Sequence, residues 1–319
     1  MSLAINRLSP TQKVDALMMA LAGSGPLSEM VRTHLQTGGR RTRAQLALMA
    51  ARALNVDQAI GWAAACELLH NATLVHDDLQ DGDRVRRGHP TLWATHGLAQ
   101  AINSGDLMLM LPFMALNRQT CTPDQHVALS QALAKRAVRC VKGQALDLVL
   151  PNQASWSMAD WLEVAIAKSG QLLALPIEGA AILAGRDDSA ALGDHFAKAG
   201  ALYQMVDDMV DLYGEKGRGE RGCDLREGKI SALVVRHLEL APQDETWLRG
   251  ILQTGRDQTQ TSDIDKAANR FRQSGAVHAL LADISERTEF LQSEDLPESL
   301  RAVASDLAHR CTRDLGGIA

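Results

Sequence analysis

Apolar residues recur at three- and four-residue spacing through almost the whole chain, the pattern of helices with one buried face. Val14, Leu17, Met18 and Leu21 follow Ser9-Pro10-Thr11-Gln12. That start combines a serine cap, a proline at the first helical position and a glutamine three residues after the cap. Gly23 stops the run. A second helix is predicted from Leu27 to about Leu35, and an alanine-rich one after Gly38-Gly39. Residues 57 to 81 read as one long helix, and 82 to 91 as a loop. Helices resume at Leu92, with breaks expected near Ser104-Gly105 and Pro112. Thr122-Pro123-Asp124-Gln125 opens a long helix toward Leu148, and residues 151 to 157 connect it to an apolar run ending near Gly185. Lys168-Ser169-Gly170 and Pro176 inside that run predict a kink that frees backbone carbonyls. Helix follows over 187 to 213, then a loop rich in glycine and charge over 214 to 228, then amphipathic helices to the end. Strand alternation is nearly absent, so the expected fold is an all-α bundle around a deep central cavity.

Composition sharpens this picture. The chain has 319 residues and no low-complexity linker, so a single domain over 1–319 is expected. It is 46% hydrophobic but only 3% aromatic, so alanine and leucine must build a core of close-packed helices. A formal net charge of -5 argues against nucleic acid as a partner. The five cysteines, at 66, 121, 140, 223 and 311, lack C-x-x-C spacing and read as core thiols of a reducing compartment. No run looks long and charge-free enough to span a bilayer, and no basic-then-apolar leader opens the chain, so a cytoplasmic enzyme without a transmembrane segment is expected.

Two acidic clusters carry the chemistry. Asp77, Asp78 and Asp81 form D-D-x-x-D at the end of the long helix, and Asp77 and Asp81 share one helical face. His70, seven residues earlier, lies on the same face. Asp207, Asp208 and Asp211 repeat the pattern after another apolar run. Oxygen ligands of this kind suit a hard ion such as Mg²⁺, which completes its shell with phosphate and water. Arg86-Arg87-Gly88 follows the first cluster and offers guanidinium groups for bidentate phosphate binding. Arg40 and Arg41 sit at a helix start, where the dipole is unfavourable to cations, and a bound anion would repair the mismatch. If the two helices face each other, the clusters can hold several metal ions around one polyanion.

These motifs together resemble the trans-prenyl diphosphate synthases, the polyprenyl synthetase family. The resemblance covers nearly the whole chain: Gly38-Gly39-Arg40-Arg41-Thr42-Arg43, Leu74 to Thr91, Gly105-Asp106, Gly143-Gln144, Lys168-Ser169, Gln204 to Asp211, and Asp224-Leu225-Arg226-Glu227-Gly228-Lys229. It implies the isoprenoid synthase fold and a Mg²⁺-dependent, head-to-tail condensation of isopentenyl diphosphate with an allylic diphosphate. It also implies a homodimer. By resemblance, Asp77, Asp78, Asp81 and Asp207, with Asp208 and Asp211 behind them, hold Mg²⁺. Arg86, Lys168 with Ser169, and Lys229 bind the allylic diphosphate. Arg40, Arg41, His70 and Arg87 hold isopentenyl diphosphate, and Gln204 lies near the reacting ends. No side-chain nucleophile is needed.

Three positions depart from the family pattern. Arg40 replaces a lysine, keeping the charge. Gly219 stands where a lysine is usual, with Lys216 or Arg218 as possible substitutes. The histidine usual after P-T is replaced around Trp93, with His96 nearby. The loop over 214 to 228 is expected to close over bound diphosphate through Lys216, Arg218 and Arg221. Ala72 and Thr73, five and four residues before Asp77, are not aromatic, so the tunnel for the growing chain is expected to run deeper, past Leu69 and Cys66. Phe113 is expected to floor it, giving a geranylgeranyl or longer product. The alternatives are a class I terpene cyclase, which needs no second diphosphate site, and a non-catalytic subunit, which would be expected to lose an acidic cluster.

Overall fold

The computed structural model describes residues 8–214 and 221–316. They are helical apart from connecting segments and a two-stranded antiparallel ribbon, Val85–Arg86 with His89–Pro90. The chain divides into two compact units, one of residues 1–137 and 172–194, the other of residues 138–171 and 195–319.

The first unit is built on the Ile60–Gln80 helix, which buries Trp62, Ala63, Ala64, Ala65, Leu68, Leu69, Ala72 and Val75. Its alanines let neighbouring helices approach closely. Trp62 reaches the Gln171–Leu183 helix, donating from Nε1 to the Pro176 carbonyl at 3.3 Å. Gly179 makes room for the indole, because a Cβ there would lie 1.9 Å from it. Arg136, 3% exposed along its side chain, is paired with Glu178 and Asp194, each at 2.6 Å. Leaving that guanidinium unpaired in the interior would be costly.

The Leu98–Leu116 helix runs straight through Ser104-Gly105 and Pro112, where breaks were expected. All three residues are buried. At Gly105 the missing side chain admits the His76 ring, to which a Cβ would come within 2.1 Å. Met108, Leu111, Pro112 and Ala115 all lie on the buried face, so packing holds the helix together across its proline.

The second unit centres on the Ala199–Tyr213 helix, whose residues Leu202, Met205, Val206, Met209 and Leu212 are buried. The helices Ala232–Leu240, Ala276–Leu291 and Glu298–Thr312 belong to the same unit. Buried His237 contacts Ser274 Oγ at 2.9 Å and Asp244 at 3.1 Å, and Arg270 pairs with the same Asp244 at 2.5 Å. The expected kink is a π turn, Ile166–Gly170, between the Met158–Ala165 and Gln171–Leu183 helices. Contrary to the sequence expectation, the Met158–Leu183 stretch is long and apolar enough to cross a membrane, and 67% of its most apolar window is buried in the protein.

Candidate active site

In the first unit, the last turn of the Ile60–Gln80 helix delivers the three aspartates to different environments. Asp77 and Asp81 are partly exposed one turn apart. Asp78 is 2% exposed and accepts a hydrogen bond from Arg86 Nε at 2.5 Å. Burial pushes its carboxyl up to about 6, against the pull of Arg86. The loop expected over 82–91 is a hairpin with Arg87 and Gly88 at its tip, φ 53° and 77°. Positive φ at both central residues is what a two-residue type I′ turn requires. Its base is closed by Thr91 Oγ1 and Trp93 Nε1, which donate to the Asp83 carbonyl at 2.8 and 2.7 Å.

That hairpin carries the Arg87 guanidinium to Gly38-Gly39, where it donates to the Gly38 carbonyl. Gly39 adopts φ 116°, which a side chain would strain, and a Cβ there would also crowd Arg87 Nη1 at 2.6 Å. His70 is half-buried, and its ring is held neutral, first by desolvation and then by Arg43, Arg87 and Arg86. His34 is lowered to about 3 by burial and by Arg86 and Arg87. Buried Glu67 accepts from the Ala44 amide at 3.1 Å. The region is therefore a cationic cluster around two neutral imidazoles. A cavity of about 350 Å³ opens beside it, lined by His34, Asp78, Arg86, Thr91 and His96 among others.

Arg40 is exposed, and the Gly38 carbonyl that Arg87 bonds also accepts, at 3.3 Å, from partly exposed Arg41. Arg41 also bonds Asp15 at 2.8 Å and the Leu35 carbonyl at 2.6 Å. Arg43, buried and the cation that acts most strongly on His70, is the residue the sequence reading left out. Its signal was the third basic position of the Gly38–Arg43 motif.

In the second unit, Asp207 is partly exposed on the Ala199–Tyr213 helix, while Asp208 and Asp211 are both 3% exposed. Asp208 accepts from the Ala232 amide at 2.7 Å, at the start of a helix, and from Gln204 Nε2 at 3.1 Å. Asp211 accepts from the Asp224 amide at 3.1 Å. These two carboxylates are spent on backbone amides. Ser169 Oγ lies 3.5 Å from Gln204 Oε1, and Lys168 Nζ pairs with Asp147 at 2.7 Å. Lys229 and Arg256 share Glu227, at 2.8 and 3.0 Å. Residues 215–220 lie outside those described, and with them Lys216, Arg218 and Gly219. Arg221, also expected to meet diphosphate, pairs with Asp265.

Among the described residues, no three His, Cys, Asp or Glu side chains close on a common metal position. Within the first unit, Asp77 and Asp81 offer oxygen donors only, the kind a hard cation takes when phosphate and water complete its shell, and Asp207 offers the same kind of donor in the second unit. The Phe113 expectation is overturned. Its side chain is 41% exposed, on the outer face of its helix with Ile102, Met110 and Met114. Ala72, Leu69 and Cys66 are packed in the interior of the first unit.

The sequence matches the Polyprenyl synthetase family over residues 25–271. The chain belongs to that family. Relatives of this polyprenyl synthetase include a short chain isoprenyl diphosphate synthase of Methanothermobacter thermautotrophicus, 32% identical, covering 87% of this chain and 88% of that one. Geranylgeranyl pyrophosphate synthase of Geoglobus acetivorans is 32% identical over 75% of this chain and 76% of its own. Among solved structures, geranylgeranyl pyrophosphate synthase from Corynebacterium glutamicum, complexed with isoprenyl diphosphate and magnesium, superimposes with a TM-score of 0.81 at 25% identity, covering 98% of each chain. The synthetase is accordingly an all-α trans-prenyltransferase, and neither the cyclase nor the non-catalytic subunit is favoured.

Proposed function

We propose that this synthetase condenses isopentenyl diphosphate with an allylic diphosphate to give geranylgeranyl diphosphate or a longer homologue, dependent on Mg²⁺. The observation that carries the reading is the same division of labour in both acidic motifs. Asp78 in the first motif, and Asp208 and Asp211 in the second, are buried and bonded to the protein, leaving Asp77, Asp81 and Asp207 partly exposed. Asp77 and Asp81 would hold Mg²⁺ in the first unit and Asp207 would hold it in the second, with Asp78, Asp208 and Asp211 positioning the helix ends behind them. Bound Mg²⁺ would neutralise the charge that grows on the leaving diphosphate.

The allylic C1–O bond breaks, and the diphosphate leaves with the electron pair. The double bond of isopentenyl diphosphate then attacks C1, and a proton is lost. Arg86, Lys168, Ser169 and Lys229 bind the allylic diphosphate, with Gln204 beside the reacting ends. Arg40, Arg43, His70 and Arg87 bind isopentenyl diphosphate, and Arg41 supports them from its bond to Asp15. A neutral His70 suits this role, because its ring can donate a hydrogen bond to phosphate without adding charge to an already cationic cluster. The apolar wall of Ala72, Leu69 and Cys66 keeps water from the cation.

The homodimer finds support in an apolar stripe, Leu98, Ile102, Met110, Phe113 and Met114, exposed along one helix. Five free cysteines are in keeping with a cytoplasmic setting. Incubation with radiolabelled isopentenyl diphosphate and each allylic primer, followed by chain-length analysis, tests the reading. Products no longer than farnesyl diphosphate would refute the length, and no product with any primer would refute the activity.

A further inference from the structure

Lys168 is held at three points by one face of the Pro123–Val149 helix. The Cys140 thiol donates to its carbonyl at 3.1 Å, and its ammonium donates to Asp147 Oδ2 at 2.7 Å. Between them, Gly143 lets the backbones touch, since a Cβ there would lie 2.4 Å from the Lys168 nitrogen. Positions 140, 143 and 147 are three and four apart and so share a helical face. Lys168 itself sits inside the π turn Ile166–Gly170, a geometry that recurs at functional sites. Its side chain and that of Asp147 are each 21% exposed, so the pair is partly withdrawn from water yet open on one side.

We propose that Asp147 is the positioning residue of Lys168, fixing the ammonium for the allylic diphosphate. The inference rests on the reading of Lys168 as a ligand of that diphosphate. A lysine carries a flexible four-carbon stem and three N–H donors. One donor given to Asp147 restricts the stem before substrate arrives, with the pair still open to solvent on one side. The freedom lost on binding is correspondingly smaller. A carboxylate that only stapled two helices would serve stability and treat both substrates alike.

The test is steady-state kinetics of the full chain with Asp147→Asn, Asp147→Glu, Lys168→Gln and the double variant Asp147→Asn/Lys168→Gln, with Tm recorded for each. Asp147→Asn should raise KM for the allylic diphosphate about five- to tenfold and lower kcat, with KM for isopentenyl diphosphate changed by less than about twofold. Asp147→Glu should recover part of the loss. In the Lys168→Gln background, Asp147→Asn should change nothing further, as coupling through Lys168 requires. Parallel changes in both KM values, or an undiminished effect of Asp147→Asn in that background, would overturn the proposal while leaving the synthase reading intact. A wild-type chain that makes no product from any primer would overturn the synthase reading itself, and the positioning role with it.

Discussion

Replacing His34 by glutamine should remove one definable contribution to the protein's acid sensitivity. His34 is 5% exposed, and its ring is lowered from the ordinary 6.5 to about 3 by burial and by Arg86 and Arg87. A depression of that size is worth about 5 kcal/mol of preference for the neutral ring in the folded state, at about 1.4 kcal/mol per pH unit. The sign follows from proton uptake. Below 6.5 the unfolded chain protonates this histidine while the folded chain does not, so stability is complete above 6.5 and is lost progressively toward 3. Between pH 7.5 and 5 the loss from His34 alone should be about 2 kcal/mol. Asp78 acts in the opposite sense. Its folded value of about 6 lies above the ordinary 3.8, so the folded state takes the proton first and gains stability as pH falls through that window. His70, His195 and His237, also lowered by burial, act in the same sense as His34, so the wild-type profile sums opposing contributions, and the difference between wild type and variant isolates that of His34. Urea midpoints of the ligand-free proteins, measured at one protein concentration from pH 5 to 7.5, provide the assay. The stability of wild type relative to His34→Gln should fall by about 2 kcal/mol over that range. A pH-independent difference would refute a buried neutral His34.

Asp77→Ala or Asp207→Ala should cut turnover by at least about 100-fold with helix content unchanged by circular dichroism; near wild-type rates in saturating magnesium would refute their role. Asp208→Ala should cost about 1–2 kcal/mol in chemical denaturation, because it leaves the Ala232 amide without its acceptor. Asp207→Ala should stay within about 0.5 kcal/mol of wild type, and equal losses would refute the inward–outward division. Ala72→Phe should shorten the product, since a ring would fill space that is now fully buried beside a methyl group; an unchanged product distribution would remove Ala72 from the tunnel. Met110→Glu combined with Phe113→Glu should convert a dimer to monomer in sedimentation velocity, and a wild-type monomer would refute the interface.

The helices and both acidic motifs were legible because helical periodicity and a repeated D-D-x-x-D are local signals. The facing of neighbouring aspartates was not. Asp208 is turned inward by the amide of Ala232, and Asp211 by that of Asp224, positions that no spacing within the motif reveals. Asp78 is claimed in the same way by Arg86 across the hairpin. Phe113 failed for a different reason. With a break assumed at Ser104-Gly105, the helical phase beyond it could not be carried forward. Once the helix runs unbroken, Met108, Leu111, Pro112 and Ala115 take the buried face at i, i+3, i+4 and i+7, and Phe113 must point outward. Gly105 looked like a breaker, yet its space is filled by His76 from another helix.

The same logic separates Arg41 from Arg43, which the motif presents as equals. Asp15, on the first helix, claims Arg41, and the Leu35 carbonyl completes its bonding. Arg43 is left beside His70, where Arg86 and Arg87 already lie. In that cluster the cations oppose one another. Arg87 is lowered by burial and by Arg86, Arg41 and Arg43, and two histidines are kept neutral. Glu67 and Asp78 supply buried counter-charge, but Asp78 itself is raised by burial. A region arranged this way is electrostatically poor in the free protein and improves when a polyanion enters. Ligand binding to the folded state alone then raises stability by mass action.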